Sequence, residues 1–587
     1  EAGEREVKGL EKLLREVFPV EIASGEKLEY EGYAVAEPEF CPRKCARFGR
    51  TYGGELEVRL RGSESGDAVA VKVGLFPLMT ERGGFVIAGR EKVVVGQLQA
   101  TEGDGPNDLA FRRLLLVGEQ LEAVLTGPLK EDVERGEKVE AVRDFRLCGF
   151  ADAIGRFFAG GGLVRPAEEG NPLSLLSQLR AVVQQGVGRR PSFSTRDVHT
   201  SHFGRLCVLE TTEGERIGIN LNTALLAQVD DEGRMLTPYR RTEDGKIEYL
   251  TAEDESEKVV ADLGTGDGYS KRYNGKMLGR NRGDIARIEE GSVQYVPVHT
   301  YQSLGTSASL IPFLANDDAN RGLMGANMQK QAVPLVHAEP PLVRTGIEER
   351  IADDVGANVR GKVGGVVTKV EGDEVIVRES GSGEERVYYL NGFTGSSLGT
   401  CLRQRAIVRE GEEVAEGQML ASGPAAADGA LALGRNFLVG YMIWEGGNYE
   451  DAIVVNERLV REELLTSIKV RSFSVAISKK NAGVEKFGAD HLGEFESAQL
   501  GPEGIIREGV VVEEGDVLIG KSVEKKGEKK DASLRLPIGQ SGRVIEVERY
   551  SVAEGDPLDD RVGELVRVTV AVRRRLKVGD KLANRHG

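Results

Sequence analysis

Asp317-Asp318-Ala319-Asn320-Arg321, followed by Gly325-Ala326-Asn327-Met328-Gln329-Lys330-Gln331-Ala332-Val333-Pro334-Leu335, is dense in side-chain amides and nearly free of β-branched residues. Such a stretch is poorly suited to a hydrophobic core and well suited to line a polar site. Arg321 can fork onto a phosphate. Asn320, Asn327, Gln329 and Gln331 carry donors and acceptors that fit ribose hydroxyls or base edges.

Around this stretch the chain runs to 587 residues, several domains' worth, with 40% hydrophobic and 29% charged residues. No run of about 18 apolar residues marks a membrane span. The first residues, Glu1-Ala2-Gly3-Glu4-Arg5-Glu6, lack Met and have no signal-peptide character. The sequence therefore reads as beginning inside a longer chain or after processing. Five cysteines make no disulfide framework and fit a reducing compartment. Cys41-x3-Cys45 has no second pair to complete a zinc site. A net charge of −16 and a pI near 5.2 speak against a nucleic-acid binder taken as a whole, yet an acidic exterior can enclose a basic channel. Arg189-Arg190, Arg240-Arg241 and Arg573-Arg574-Arg575 are the basic spots, each with a solvated surface run as its plain alternative.

The 76 glycines and low aromatic content, 6%, predict short strands punctuated by turns: an α+β, β-rich, multidomain chain. Helices are expected near Gly9–Val17, Leu109–Val133, Leu173–Gln185 and Glu457–Leu465. Hairpins are expected at 83–95 and 363–377, strands at 544–547 and 565–572, and an exposed charged connector at 521–530. Ile407 to Leu420 returns as Ile505 to Leu518, and in part as Leu576 to Leu582. The shared core is an apolar residue, two positions, Gly, two positions, Leu: a strand, a turn that needs φ > 0, and a second strand. Aligned by eye, Lys581 of the third copy falls where Gln418 and Val517 stand, beside Arg585 and His586, which suggests a phosphate contact. A biotinyl or lipoyl carrier begins in a similar way. Here Ala421-Ser422-Gly423-Pro424 follows instead of the carrier's modified lysine.

Glu450-Asp451 follows the only Trp, Trp444. Adjacent carboxylates on a strand point to opposite faces, but at a turn they can hold an oxygen-loving cation or orient a base. A surface turn is the plainer reading. Thr195 to Arg205 holds Arg196, His199 and His202 and reads equally as a loop that contacts a nucleic-acid backbone or as a satisfied structural loop. There is no Walker A sequence, zinc-protease helix motif or nucleophile elbow, and no Asp-x-Asp-x-Asp cluster able to hold two magnesium ions. Any phosphoryl transfer therefore needs a partner that carries the metal.

These motifs, in this order, resemble the β subunit of bacterial-type multisubunit RNA polymerase. Gly74 to Val95 is similar to its protrusion, Asn171-Pro172-Leu173-Ser174 and Arg196 to Gly214 to its fork, and Asp317 to Leu335 to its hybrid-binding stretch. Trp444 to Asp451, the second repeat, and Val578-Gly579-Asp580-Lys581-Leu582-Ala583-Asn584-Arg585-His586-Gly587 follow in family order. The resemblance implies part of a double-psi β-barrel active centre with sandwich-barrel hybrid, flap-like units. It divides the chain into a protrusion-like region at 1–160, fork at 161–230, external region at 231–310, hybrid-binding and barrel region at 311–455, flap-like domain at 456–545 and barrel return at 546–587.

The resemblance also implies roles. Lys581 contacts the initiating nucleotide or RNA 3′ end, Arg321 the incoming triphosphate, and Gln331 the RNA–DNA hybrid. Glu450 and Asp451 lie near the second magnesium. Asn320, Asn327, Arg180, Arg196, Arg585 and His586 join the nucleotide and nucleic-acid contacts. The primary Mg²⁺ belongs to a β′-like partner, with α-like and ω-like subunits, DNA and RNA completing the assembly in the cytoplasm. The family's large lobe is reduced to a linker between Leu98 and Asp108, and its flap-tip helix is missing between Lys521 and Lys530, so sigma contact is expected to be weakened or altered. Ser177-Gln178-Leu179-Arg180-Ala181 replaces the family's Thr-His-Lys-Arg-Arg, which implies poor rifamycin sensitivity. The motif at Gly587 continues in the family, with the remainder expected on a separate chain or cut away. Two rival readings are a non-catalytic nucleic-acid-binding scaffold and a phage- or plasmid-type polymerase subunit.

Overall fold

The computed structural model describes residues 9–102, 107–160, 163–188, 191–261, 276–481, 484–525, 528–558 and 561–587. It is β-rich and separates into two compact units, residues 1–167 with 177–309, and residues 168–176 with 310–587.

The first unit begins with an antiparallel sheet of Val20–Glu21, Lys27–Val35, Gly53–Gly62 and Ala68–Pro77. Its third strand alternates strictly, with Leu56, Val58 and Leu60 buried and Glu55, Arg59 and Arg61 exposed. The buried face packs on the helices Gly9–Val17, Val117–Gly136 and Cys148–Gly160 through Leu13, Leu14, Leu125, Leu129, Phe150 and Phe158, joined by Phe145 from the segment between the last two. Each such side chain contributes roughly 1.5–3 kcal/mol on leaving water. The expected 83–95 hairpin forms as Phe85–Ile87 against Arg90–Val94.

Two expected helices are shorter than their sequence pattern suggested. Residues 109–111 form a 3₁₀ turn capped by Asp108, whose Oδ1 accepts from Ala110 N at 3.0 Å, and Arg112–Leu115 is a strand. It pairs with Gly96–Ala100, and the helix starts only at Val117, where Glu119 accepts from Leu116 N at 3.0 Å. Likewise the Pro172–Leu179 helix stops before Ala181–Gln184, which lies parallel to Gly96–Ala100 with Val182 buried. In both cases ladder hydrogen bonds to Gly96–Ala100 outweigh local helix propensity.

In the second unit the Ser467–Ser478, Val562–Arg574 and Gly542–Ser551 strands form a long antiparallel sheet, in register from Ser467↔Arg574. The expected 363–377 hairpin forms as Gly365–Val370 against Glu374–Glu379. The first two repeats fold as expected: Glu413–Val414 and Met419–Ser422 flank Gly417 at φ +78°, and Val511–Val512 and Val517–Ile519 flank Gly515 at φ +87°. The third copy has the same turn at Gly579, φ +93°, without flanking strands in 576–582. In all three turns the residue after Gly closes back on the first N–H: Gln418 on Ala415, Asp516 on Glu513, Asp580 on Lys577. This shared bond corrects the alignment by eye: Asp580 is the counterpart of Gln418, and Lys581 that of Met419 and Val517.

The expected charged connector is instead a hairpin, Lys521–Lys525 against Glu528–Asp531, with residues 526–527 outside the described set. Lys521 is not solvated there: its Nζ donates to Ala476 O at 3.1 Å and pairs with Glu485 at 2.7 Å. Near 457–465 only Arg458–Arg461 is helical.

Candidate functional site

The opening stretch folds as the Ala319–Gln331 helix. Asp318 caps it, Oδ2 accepting from Asn320 N at 3.0 Å, and the interior favours helix formers such as Ala, Leu, Met, Gln and Lys. Gly322, Gly325, Ala326 and Gln329 form a buried stripe of mostly small residues, while Asn320, Arg321 and Gln331 are exposed. At the other end, fully buried Asn171 satisfies the last carbonyls. Its Nδ2 lies 2.9, 3.1 and 2.8 Å from the oxygens of Gln329, Lys330 and Ala332.

The small-residue stripe is where the end of the sequence docks. A Cβ on Gly325 would stand 2.2 Å from Arg585 O and 3.1 Å from Gly587 N, so only glycine permits the approach. Arg321 Nη1 donates to Gly587 O at 2.9 Å. His586 Nδ1 meets Asp317 Oδ2 at 2.6 Å. Arg585 donates from Nη1 to Leu310 O at 3.2 Å and from Nη2 to Val343 O at 2.8 Å. Burial pulls its guanidinium below the ordinary arginine value, with Glu348 opposing. Two motifs 266 residues apart thus form one structure, in which Arg585 clamps backbone.

Lys581 lies in this docked segment, exposed, with no hydrogen bond or ion pair among the described residues. Six residues of chain from Lys581 to Gly587 bound their Cα separation to about 20 Å. Lys581 and Arg321 each keep donors that could take an anionic oxygen. Gln331 and half-buried Asn327 lie on the same helix.

Glu450 and Asp451 project from a chain of tight turns. Glu445 at φ +47° and Gly446 at φ +75° make a two-residue turn closed by Gly447 N to Trp444 O at 2.8 Å. Asn448 fixes it, accepting from Trp444 N at 2.9 Å and donating to Met442 O at 2.6 Å. Glu450 itself sits at φ +57°, and both carboxylates are exposed. No hydrogen bond or ion pair among the described residues joins them to Lys581 or Arg321, and no group of three or more metal-ligating side chains is found there. The surrounding segment leaves Leu438, Tyr441, Ile443, Trp444, Tyr449 and Ile453 exposed.

Arg180 and Arg196 lie in the first unit. Arg196 Nη1 donates to Ile217 O at 2.6 Å, and Arg180 Nη2 donates to Ala224 O and to Leu225 O. Both guanidiniums hold carbonyls of their own unit. His202 fits the structural-loop reading: its Nε2 bonds Asn107 O at 2.8 Å, and burial pushes its pKa down to about 4. Of the basic spots, Arg241 is paired with Asp244 at 2.6 Å and Glu248 at 3.1 Å, while Arg189 and Arg190 lie outside the described residues. Cys41 is exposed and Cys45 buried, both as free thiols.

Sequence reading missed Asp317 as partner of His586, Gly325 as the docking point and Asn171 as the helix cap. Gly325 alone left a signal, as a glycine in the interior of a helical pattern.

Residues 166–229 match the family model for RNA polymerase Rpb2, domain 3, and residues 360–587 that for RNA polymerase Rpb2, domain 6. The chain is similar to DNA-directed RNA polymerase subunit beta of Rubrobacter xylanophilus, 41% identical over 74% of this chain and 41% of the relative. It is 40% identical to the same subunit of Acetivibrio thermocellus over 74% of this chain and 38% of the relative. With that of Treponema pallidum it shares 38% over 82% of this chain and 45% of the relative. The chain thus spans less than half the length of the relatives it matches.

Proposed function

We propose that this chain, whose residues 166–229 and 360–587 belong to RNA polymerase Rpb2 domains 3 and 6, is a β-like subunit of a DNA-dependent RNA polymerase. The observation that carries the reading is the docking of the Lys581 segment on the Arg321 helix, which makes one structure of two cations with unspent donors. In this reading Arg321 takes the triphosphate of the incoming nucleotide and Lys581 the RNA 3′ end. Gln331, Asn327 and Asn320 follow the RNA–DNA hybrid. Both cations stabilise charge that develops as the phosphodiester forms. Arg585 and His586 act indirectly, by fixing the docked segment.

The reading assigns the catalytic Mg²⁺ to a β′-like partner, with Glu450 and Asp451 close to a second ion. That partner, with α-like and ω-like subunits and further β sequence, would complete a double-psi barrel, and the regional division from protrusion to barrel return is part of the same proposal. The short Lys521–Asp531 hairpin supports an altered sigma contact.

The test is purification through a tag on this chain from its native host, identification of co-purifying subunits, and primer extension on an RNA–DNA scaffold with and without Mg²⁺. A β′-like partner and Mg²⁺-dependent extension support the proposal. A chain that purifies alone, or binds nucleic acid without extending it, favours the scaffold reading.

A further inference from the structure

Glu463 stands in the left-handed backbone region at φ +55°, which a glutamate adopts only where its surroundings over-determine it. It follows the short Arg458–Arg461 helix, and its carbonyl accepts from Thr466 N at 3.1 Å, just before the Ser467–Ser478 strand. Its carboxylate holds two guanidiniums. Arg575 reaches Oε1 from Nη2 at 2.6 Å and from Nε at 2.7 Å, and Arg573 reaches Oε2 from Nη2 at 3.0 Å.

Arg573 lies near the end of the Val562–Arg574 strand and Arg575 one residue beyond it, and both side chains reach the same carboxylate. Arg574, between them, pairs with Asp580 at 3.6 Å. Asp580 also accepts from Lys577 N at 2.8 Å and so closes the Gly579 turn, and Lys581 is the next residue. Beyond it, Gly587 is held by Arg321 of the Ala319–Gln331 helix, His586 by Asp317, and Arg585 by the Leu310 and Val343 carbonyls. Lys581 therefore lies on a loop held at both ends. The strand-side anchor is an ion-pair fork at a strained backbone position. Pairs whose arginines are as exposed as these, 67% and 60%, contribute little to folding. The left-handed residue itself ends the Arg458–Arg461 helix, with Leu464 N on Leu459 O at 3.0 Å.

We propose that Glu463 is a positioning residue for Lys581: by clamping Arg573 and Arg575 it fixes where the strand ends and thus where the Gly579 turn presents the lysine. This rests on the polymerase reading. Preorganisation of this kind acts on the reacting geometry, where a displacement of about 1 Å can cost on the order of 10²-fold in rate.

The test is primer extension by the complex purified through this chain. Glu463→Ala is expected to lower the rate at saturating nucleotide by roughly 10- to 100-fold, with the nucleotide KM changed by less than about twofold. Glu463→Gln, which keeps an acceptor and the side-chain length, falls between. The double variant with Lys581→Ala extends no more slowly than Lys581→Ala alone, because both remove one contribution. If Glu463→Ala does not assemble, Arg575→Ala opens the same fork and carries the same expectations. Normal extension by Glu463→Ala beside a dead Lys581→Ala, defects that multiply in the double variant, or a change confined to KM overturns the inference. Normal extension by Lys581→Ala overturns the polymerase reading itself.

Discussion

Two carboxylates in this chain each sit between two arginines, and they do different work. Glu255 is buried with Arg205 and Arg280: Arg205 Nη1 lies 2.8 Å from Oε2, Arg280 pairs with Oε1, and Tyr239 Oη donates to Oε2 at 3.1 Å. Arg205 also donates to the Met235, Ser201 and Leu250 carbonyls and Arg280 to the Thr200 carbonyl and the Tyr239 hydroxyl, and burial pushes the Tyr239 phenol up to about 12. Glu463 also has two guanidiniums, but both are exposed. The same charges cost far more to separate where water cannot replace the lost partner. Burial makes the first cluster part of the fold's stability. Exposure leaves the second free to set a geometry.

Glu255→Ala has the largest expected effect. It leaves two buried arginines uncompensated and is expected to destabilise the first unit by about 3–5 kcal/mol, read by chemical denaturation. A loss below about 1 kcal/mol would mean that water already reaches the cluster.

His202 sharpens the point, since it is as buried as Glu255 but has no carboxylate partner at hydrogen-bond distance. Its folded-state pKa, about 4, lies below the ordinary 6.5, so the unfolded chain binds the extra proton over that interval. Stability is therefore full above about pH 6.5 and falls as the pH drops toward 4, by up to about 3 kcal/mol. His202→Gln should flatten this part of the pH profile, as measured by denaturant midpoints from pH 7 to 4.

Gly325→Ala should act through contact alone. With its Cβ 2.2 Å from Arg585 O, the docked segment must shift, at an expected 1–3 kcal/mol or so, and extension by the purified complex should fall more steeply than stability does. The smallest effect belongs to Glu463→Ala, under about 1 kcal/mol in unfolding free energy, as its exposed pairs imply.

Much of the local fold was legible. Leu10, Leu13, Leu14 and Val17 recur at helical spacing, and the repeated Gly-centred turns announced φ > 0 before any geometry was known. The misreadings share one cause. Arg112–Leu115 is a strand through Gly96–Ala100, Ala181–Gln184 through Gly96–Ala100 and Asn220–Thr223, and Lys521–Lys525 through Glu528–Asp531. For the site, the order of motifs marked Arg321 and Lys581, but nothing near either residue in sequence reveals that their segments touch. Asn171 was legible as a motif and not as a helix cap, because its three carbonyl partners lie about 160 residues away. Charge runs misled in the opposite sense: Arg573, Arg574 and Arg575 read as a basic patch, yet each is paired with an acid.

The central claim, that the docked segment delivers a lysine to a nucleotidyl-transfer centre, is tested most directly by single-nucleotide extension on an RNA–DNA scaffold. The tagged complex would be compared with its Lys581→Ala form at equal subunit composition. The account predicts a loss of at least about 100-fold at saturating nucleotide with scaffold binding retained. Extension by Lys581→Ala at the rate of the unaltered complex would contradict it.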